Sequence, residues 1–140
     1  MMQTEFIIET HLQKELIWSI WTDVKNWKKW NPCIEYSNLN GNFADGTYGS
    51  FKLVDGTNTS FEHFLLTKCI PNKSFIGRIN LFMCNMDLGH EMTESENKLT
   101  VRHYVRIYGI LAFYYKKRIG IIMSRNLNIS LKKLIEQAGA

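Results

Sequence analysis

No stretch of this chain is apolar over the ~18 residues that a spanning helix needs, so integral membrane insertion is not expected. The three cysteines, Cys33, Cys69 and Cys84, are odd in number, widely spaced and form no CxxC pair. They give neither a disulfide framework nor a zinc knuckle, and they read as buried thiols of a reducing compartment. A basic start followed by an apolar segment is missing, so secretion is not expected and a cytoplasmic location is. There is no GxSxG, P-loop, dinucleotide fingerprint or HExxH, which removes the sequence signals for a hydrolase elbow, a phosphate cradle and a zincin helix. Neither a cofactor nor a metal is expected. Repeats, low-complexity tracts and linkers are also lacking, and 140 residues suit one domain spanning 1–140.

What is present is ordinary for a globular chain: 45% hydrophobic and 21% charged residues, enough to build a sizeable core at this length. The net charge is +4 and the pI about 9.0. Lys and Arg are scattered, with one denser run at Lys116-Lys117-Arg118, which reads as a solvated face. No nucleic-acid motif accompanies the charge, and no nucleic-acid partner is expected.

The pattern along the chain predicts a strand over Glu5–Thr10, rich in β-branched and aromatic residues, then helices over Lys14–Trp21 and Val24–Trp30. Asp23 is placed to cap the second helix by accepting a bond from a free N–H of its first turn. Asn31-Pro32 ends that helix, because proline restricts the residue before it. Further strands are predicted over Ile34–Leu39, Tyr48–Val54, Ser60–Cys69, Lys73–Leu81, Met86–Glu94 and Lys98–Tyr108, with turns at Asn40-Gly41, Asp45-Gly46, Asp55-Gly56 and Pro71-Asn72. Gly109 ends the sheet, and Leu111–Gln137 reads as one helix of about 27 residues, or ~40 Å. Strands joined by such short turns must run antiparallel. The fold class is α+β.

All four tryptophans lie between Ile17 and Pro32, in Ile17-Trp18-Ser19-Ile20-Trp21-Thr22-Asp23 and Asn26-Trp27-Lys28-Lys29-Trp30-Asn31-Pro32. This resembles the "VW..(L)TD...W..W.P" opening of the START-like (SRPBCC) superfamily, and within it the polyketide cyclase/dehydrase-type families. The resemblance continues through His90-Glu91-Met92-Thr93-Glu94, Thr100-Val101-Arg102-His103 and Tyr108-Gly109-Ile110-Leu111-Ala112, and covers essentially the whole chain. It implies a helix-grip fold: a seven-stranded curved antiparallel sheet around a long C-terminal helix, two short helices between strands 1 and 2, and an apolar cavity. In such a fold Trp18 and Trp21 anchor the first short helix to the sheet, while Trp30 is either core or cavity rim.

The last hairpin can be registered without the resemblance. With Glu96-Asn97 as a two-residue turn, Met92 faces Val101, His90 faces His103, Leu88 faces Val105 and Met86 faces Ile107. Every pair but one is apolar, so this face is inward, and the face carrying Asp87, Glu91, Arg102, Tyr104 and Arg106 reads as wet. His90 and His103 then oppose each other with Cβ atoms about 5 Å apart. They are structural, neutral and hydrogen-bonded, or polar handles that orient a ligand carbonyl or hydroxyl, or metal ligands, a reading for which a clear third ligand is wanting. Burial and mutual repulsion both lower their pKa, and a neutral imidazole is a candidate general base, so His90 and His103 are the catalytic candidates. His63 lies on a strand whose inward face the pattern leaves open.

Phased on Leu127 at 100° per residue, the long helix puts Phe113, Lys116, Gly120, Met123, Leu131 and Leu134 on its inner side, with Arg118, Arg125, Lys132 and Lys133 opposite. Ile122 and Ile129 fall among the charges and are candidates for a dimer contact in a chain that is a monomer or a homodimer. The candidate ligand-contacting set is therefore Leu127, Met123, Gly120 and Lys116 on the helix, Leu88, His90, His103 and Val105 on the last hairpin, and Trp30, Phe51, Phe64 and Phe75 elsewhere. Three functions compete. A binder of a small apolar or amphipathic molecule (lipid, aromatic or polyketide-like) requires a cavity of several hundred Å³. A cyclase/dehydrase-like enzyme requires the histidines as acid and base. A protein-interaction module requires a filled interior and a contiguous exposed apolar patch.

Overall fold

The computed structural model describes residues 2–53, 63–117 and 121–139, with side chains described for all of these except 121–124. Seven strands, β1 (Met2–Thr10), β2 (Ile34–Leu39), β3 (Tyr48–Leu53), β4 (Phe64–Ile70), β5 (Ser74–Leu81), β6 (Cys84–Ser95) and β7 (Lys98–Tyr108), form one antiparallel sheet in the order β1-β7-β6-β5-β4-β3-β2. Helix α1 (Lys14–Thr22) and a 3-10 helix (Val24–Lys29) lie between β1 and β2, and α2 (Ala112–Tyr115) and α3 (Ile121–Gly139) follow β7. Helix α3 packs against β1, β7 and α1, and the 3-10 helix packs against β2. The β6–β7 register is the one the alternation demanded: Met92↔Val101, His90↔His103, Leu88↔Val105 and Met86↔Ile107. Its turn residues Glu96 and Asn97 both take positive φ, 41° and 69°, the geometry that suits the twist of a two-residue hairpin.

Several boundaries move. β1 starts at Met2 rather than Glu5, because Met2, Gln3 and Thr4 continue the ladder opposite Ile107, Arg106 and Val105. The expected strand starts and ends at Ser60 and Val54, and the turn at Asp55-Gly56, lie outside the described residues. Asp23 does not cap the next helix. The segment winds as a 3-10 helix, and the Asp23 carboxylate instead accepts a 2.7 Å bond from the Asn26 side chain. Trp27 Nε1 donates to the Trp21 carbonyl at 2.8 Å and Ser37 Oγ donates to the Val24 carbonyl, which fasten this corner to α1 and to β2.

The C-terminal helix needs two corrections. A wider, π-type turn at 116–117 follows α2, so the uniform 100° phase does not carry from Leu127 back to the helix start. Phe113 and Lys116, expected inside, are exposed. Gly120 and Arg118 lie outside the described residues, as do the side chains of Met123 and Ile122. From Arg125 onward the phase is right. Leu127, Leu131, Leu134 and Ala138 are buried at steps of four, three and four, with Arg125, Lys132 and Lys133 exposed. Full burial of Leu131 and Leu134 contributes about 1.5–3 kcal/mol each.

The outer face of the β6–β7 hairpin is less wet than its charges suggest. Asp87 and Tyr104 are both buried. The Asp87 carboxylate accepts from Arg78 Nε at 2.9 Å, and Arg102 bridges Glu5 and Glu91. The Tyr104 ring lies flat over Gly89, its cross-strand partner, with the Arg102 guanidinium 4.3 Å from the ring centre. A Cβ on Gly89 would sit 1.9–2.4 Å from three ring carbons, so the glycine is required by close approach rather than by backbone angle. Gly89→Ala is expected to lower stability by about 1–3 kcal/mol, since the ring must leave its bed. In a Tyr104→Ala background the same change should cost almost nothing. Urea denaturation of the four-protein cycle measures this coupling, and additive costs would contradict it.

Candidate functional site

The inward residues of four neighbouring strands form one row. Phe6 on β1 pairs with His103 on β7, His103 with His90 on β6, and His90 with Phe75 on β5. The Phe75 and His90 rings are stacked, 4.0 Å apart and 6° from parallel, and the two imidazoles meet edge to face at 4.7 Å. Trp21 covers the row from α1, with ring centres 5.6 Å from Phe75, 5.7 Å from His90 and 5.8 Å from His103. Trp30 approaches the same pair from the end of the 3-10 helix, 6.4 Å from His90 and 5.7 Å from His103. Trp21 and Trp30 thus cover the histidine pair, with Trp18 and Trp27 packed beside them on Phe75, and Trp21, Trp27 and Trp30 are themselves buried.

Beside this row lie two adjoining hollows of about 50 and 60 Å³. Trp30, Asn31, Ile34, Phe51, Leu88 and His90 line both. Phe64 and Phe75 complete the first, and His103, Val105, Leu127 and Asn126 the second. Nine of the expected contact residues therefore converge on one place: Trp30, Phe51, Phe64, Phe75, Leu88, His90, His103, Val105 and Leu127. Lys116 does not, being exposed in the π-type turn. His63 is exposed and precedes β4, whose first residue, Phe64, points inward. Each hollow has room for only a few water molecules and is well short of the ~300–1,000 Å³ of a drug-sized site. The reason is local: Trp27, Phe51, Phe64 and Phe75 fill space that a wider cavity needs, with Trp27 lying 5.3 Å from Phe64 and 6.2 Å from Phe75.

Four polar side-chain atoms around the hollows are enclosed and have no hydrogen-bond partner: Trp30 Nε1, His90 Nδ1, His103 Nε2 and Asn126 Oδ1. Asn126 donates its amide to Asn31 Oδ1 at 3.0 Å, joining α3 to the loop after the 3-10 helix. Burial pushes the His90 pKa down to about 3, against a partial opposing effect of backbone groups at Phe75 and Leu88. Burial, and secondarily the neighbouring His90, hold His103 well below the usual imidazole range. Both expected causes act on His103, while His90 responds to burial. The rings are neutral at pH 7. Among the described residues no group of three or more His, Cys, Asp or Glu is arranged to hold a metal ion.

Asn31, Cys33, Ile34, Asn126 and Ser130 also line the hollows, and of these all but Ser130 lack a periodic signal strong enough to single them out. Ser130 had one: it falls 60° from Leu127 on the same helical phase, and a polar residue inside an apolar stripe invites inspection. Its hydroxyl donates back to the Leu127 carbonyl at 3.2 Å.

A sheet of seven antiparallel strands, in this order, closing on a C-terminal helix with two short helices after β1, decides the architecture. The fold is the START-like helix-grip fold. No family model and no curated protein matches the sequence. Solved structures do. The chain is similar to a START superfamily protein from Mycobacterium smegmatis, at 14% identity and a TM-score of 0.67 over 96% of this chain and 97% of that one. It is similar to a protein from Thermobifida fusca solved by NMR in solution, at 16% identity and a TM-score of 0.73 over 99% and 94%. It also matches the di-domain ARO/CYC StfQ of the steffimycin biosynthetic pathway, at 11% identity and a TM-score of 0.71, covering 99% of this chain and about half (52%) of that one. At these identities the likeness is one of fold.

Proposed function

We propose that the protein binds a compact, mostly apolar molecule carrying a carbonyl or hydroxyl group, in the space between the sheet and α3. The observation that carries this is the ring of partnerless polar atoms. Buried polar groups are almost always hydrogen-bonded, and leaving one unpaired costs about 1–3 kcal/mol. The four residues that carry such atoms all line one apolar hollow. Trp30 Nε1 can only donate, Asn126 Oδ1 accepts, and each neutral imidazole does either according to its tautomer. A ligand oxygen satisfies several of them at once. The small volume favours a compact aromatic over a long acyl chain, and the aromatic lining suits ring stacking.

The same features weigh against acid–base catalysis as the main role. A general base works best with a pKa near the working pH. His90, held neutral down to about pH 3, has little affinity for a proton at pH 7. The two imidazoles are hydrogen-bonding groups, not proton carriers, in this reading.

Thermal unfolding in the presence of a panel of phenols and aryl ketones tests it. A ligand present at 100 times its Kd is expected to add about 2.7 kcal/mol of stability. Trp30→Phe keeps an aromatic ring and removes the partnerless donor; the smaller ring lowers the stability of the free variant, and ligand affinity measured on the folded variant should fall about tenfold, roughly 1.4 kcal/mol. A panel in which no member shifts the transition, together with native mass spectra free of a co-purified molecule, overturns the reading.

A further inference from the structure

One end of the sheet breaks the rules that the other turns obey. The β4–β5 and β6–β7 turns place Asn72, Glu96 and Asn97 at positive φ, polar residues of the kind that turns favour. The β5–β6 turn is two residues long, between the paired Leu81 and Cys84, and it consists of Phe82 and Met83. Met83 takes φ 54°, a left-handed conformation that a large side chain seldom adopts. Phe82 is nevertheless 73% exposed. The β7–α2 corner lies alongside, since Leu111 N donates to the Met83 carbonyl at 3.2 Å. That corner presents Ile110 at 73% and Phe113 at 67% exposure, with Tyr114 also exposed. Of the eleven large hydrophobic residues exposed among the described residues, five are on these two adjoining tips. Scattered exposed apolar residues are normal, but a cluster placed on strained protruding turns is not.

The sequence directly after the cluster is basic. Lys116 and Lys117 follow directly on Phe113 and Tyr114 and are exposed. We propose that these two tips are a docking surface for an anionic lipid bilayer: Phe82, Met83, Ile110 and Phe113 enter the headgroup–acyl boundary, Tyr114 sits at the interface, and Lys116 and Lys117 lie against the acidic headgroups. Aromatic and aliphatic side chains on protruding loops suit a soft apolar layer, where a protein partner needs a broad complementary face of about 800 Å². Basic residues beside them gain about fivefold in affinity each near an anionic surface, an effect that salt screens within about 10 Å at 0.1 M. This surface is separate from the hollow, so its test does not depend on the ligand reading.

Flotation of the full chain with vesicles of phosphatidylcholine alone, and of phosphatidylcholine mixed with phosphatidylglycerol, tests it. The protein is expected to float with the mixed vesicles at low salt and much less with phosphatidylcholine or at high salt. A Phe82→Ser, Ile110→Ser, Phe113→Ser variant and a Lys116→Glu, Lys117→Glu variant should each lose at least about tenfold in binding. Both sets are exposed, so circular dichroism should show folded proteins, and the charge variant leaves every apolar side chain in place. Failure of the parent protein to bind mixed vesicles, or parental binding by either variant, overturns the proposal. So does a dimer in sedimentation velocity that the serine variant breaks without change in flotation, since the tips would then be a contact between copies of this chain.

Discussion

Acidification from pH 7 to pH 5 should destabilise this protein by about 2 kcal/mol through His90 alone, with His103 adding to the loss. The sign follows from which state binds protons. In the unfolded chain both imidazoles titrate near 6.5, the ordinary value, whereas in the folded protein His90 stays neutral down to about 3 and His103 is likewise depressed. Between these limits the unfolded state holds more protons, so stability rises with pH across the window. It is fully present above pH 6.5, declines as pH falls through 6.5, and stops declining on this account below the folded-state values. Most of the carboxylates begin to protonate only below pH 5, which leaves pH 5–6.5 as a window dominated by the two histidines. The measurement is the urea midpoint at pH 5.0, 6.0 and 7.0. Replacing His90 and His103 by Leu should flatten the dependence while the protein stays folded, because the row they occupy is otherwise aromatic and apolar. A pH dependence that survives the double substitution unchanged would mean that the imidazoles are hydrated and titrate normally.

Trp21→Ala is expected to cost about 3–5 kcal/mol, a large part of the 5–15 kcal/mol that holds a typical domain together. Trp21 is completely buried and its ring contacts Trp18, Phe75, His90 and His103. Its removal leaves a gap between α1 and the strand row that rigid neighbours on β5, β6 and β7 cannot close. Two readouts separate a true cavity from general loosening. The urea midpoint should fall with an unchanged slope, and indole, the excised group, should raise the melting temperature of the variant by more than that of the parent. Trp21→Phe should recover part of the loss. A cost below 1 kcal/mol would show that the helix–sheet interface repacks freely.

How much of this was legible in the sequence depends on the range over which its rules act. The β6–β7 register rests on a period of two and a two-residue turn, both local, and it is correct pair by pair from Met86↔Ile107 to Met92↔Val101. The inner stripe from Leu127 to Leu134 follows from an unbroken helix. Where the winding changes, at 116–117, the extrapolated phase fails for Phe113 and Lys116. The buried state of Asp87 and Tyr104 was hidden for another reason: it depends on Gly89 and Arg78, residues on neighbouring strands, and alternation within one strand reports only the side it faces. The row Phe6, His103, His90 and Phe75 needs the pairing of β1 with β7 and of β5 with β6, which no single hairpin reveals. The size of the hollow lay beyond reach as well, because it is what remains after large rings from four separate elements have packed.

The pairing of β1 with β7 also bears on how the molecule is made. Met2 finds its partner at Ile107, so β1 waits for a strand synthesised about a hundred residues later. At 5–20 residues per second that is roughly 5–20 s with an unsatisfied edge. The floor under α3 does not exist until the wait is over. Contacts this distant in sequence slow the search for the native state. Acquisition of protease resistance during translation should therefore come late and all at once.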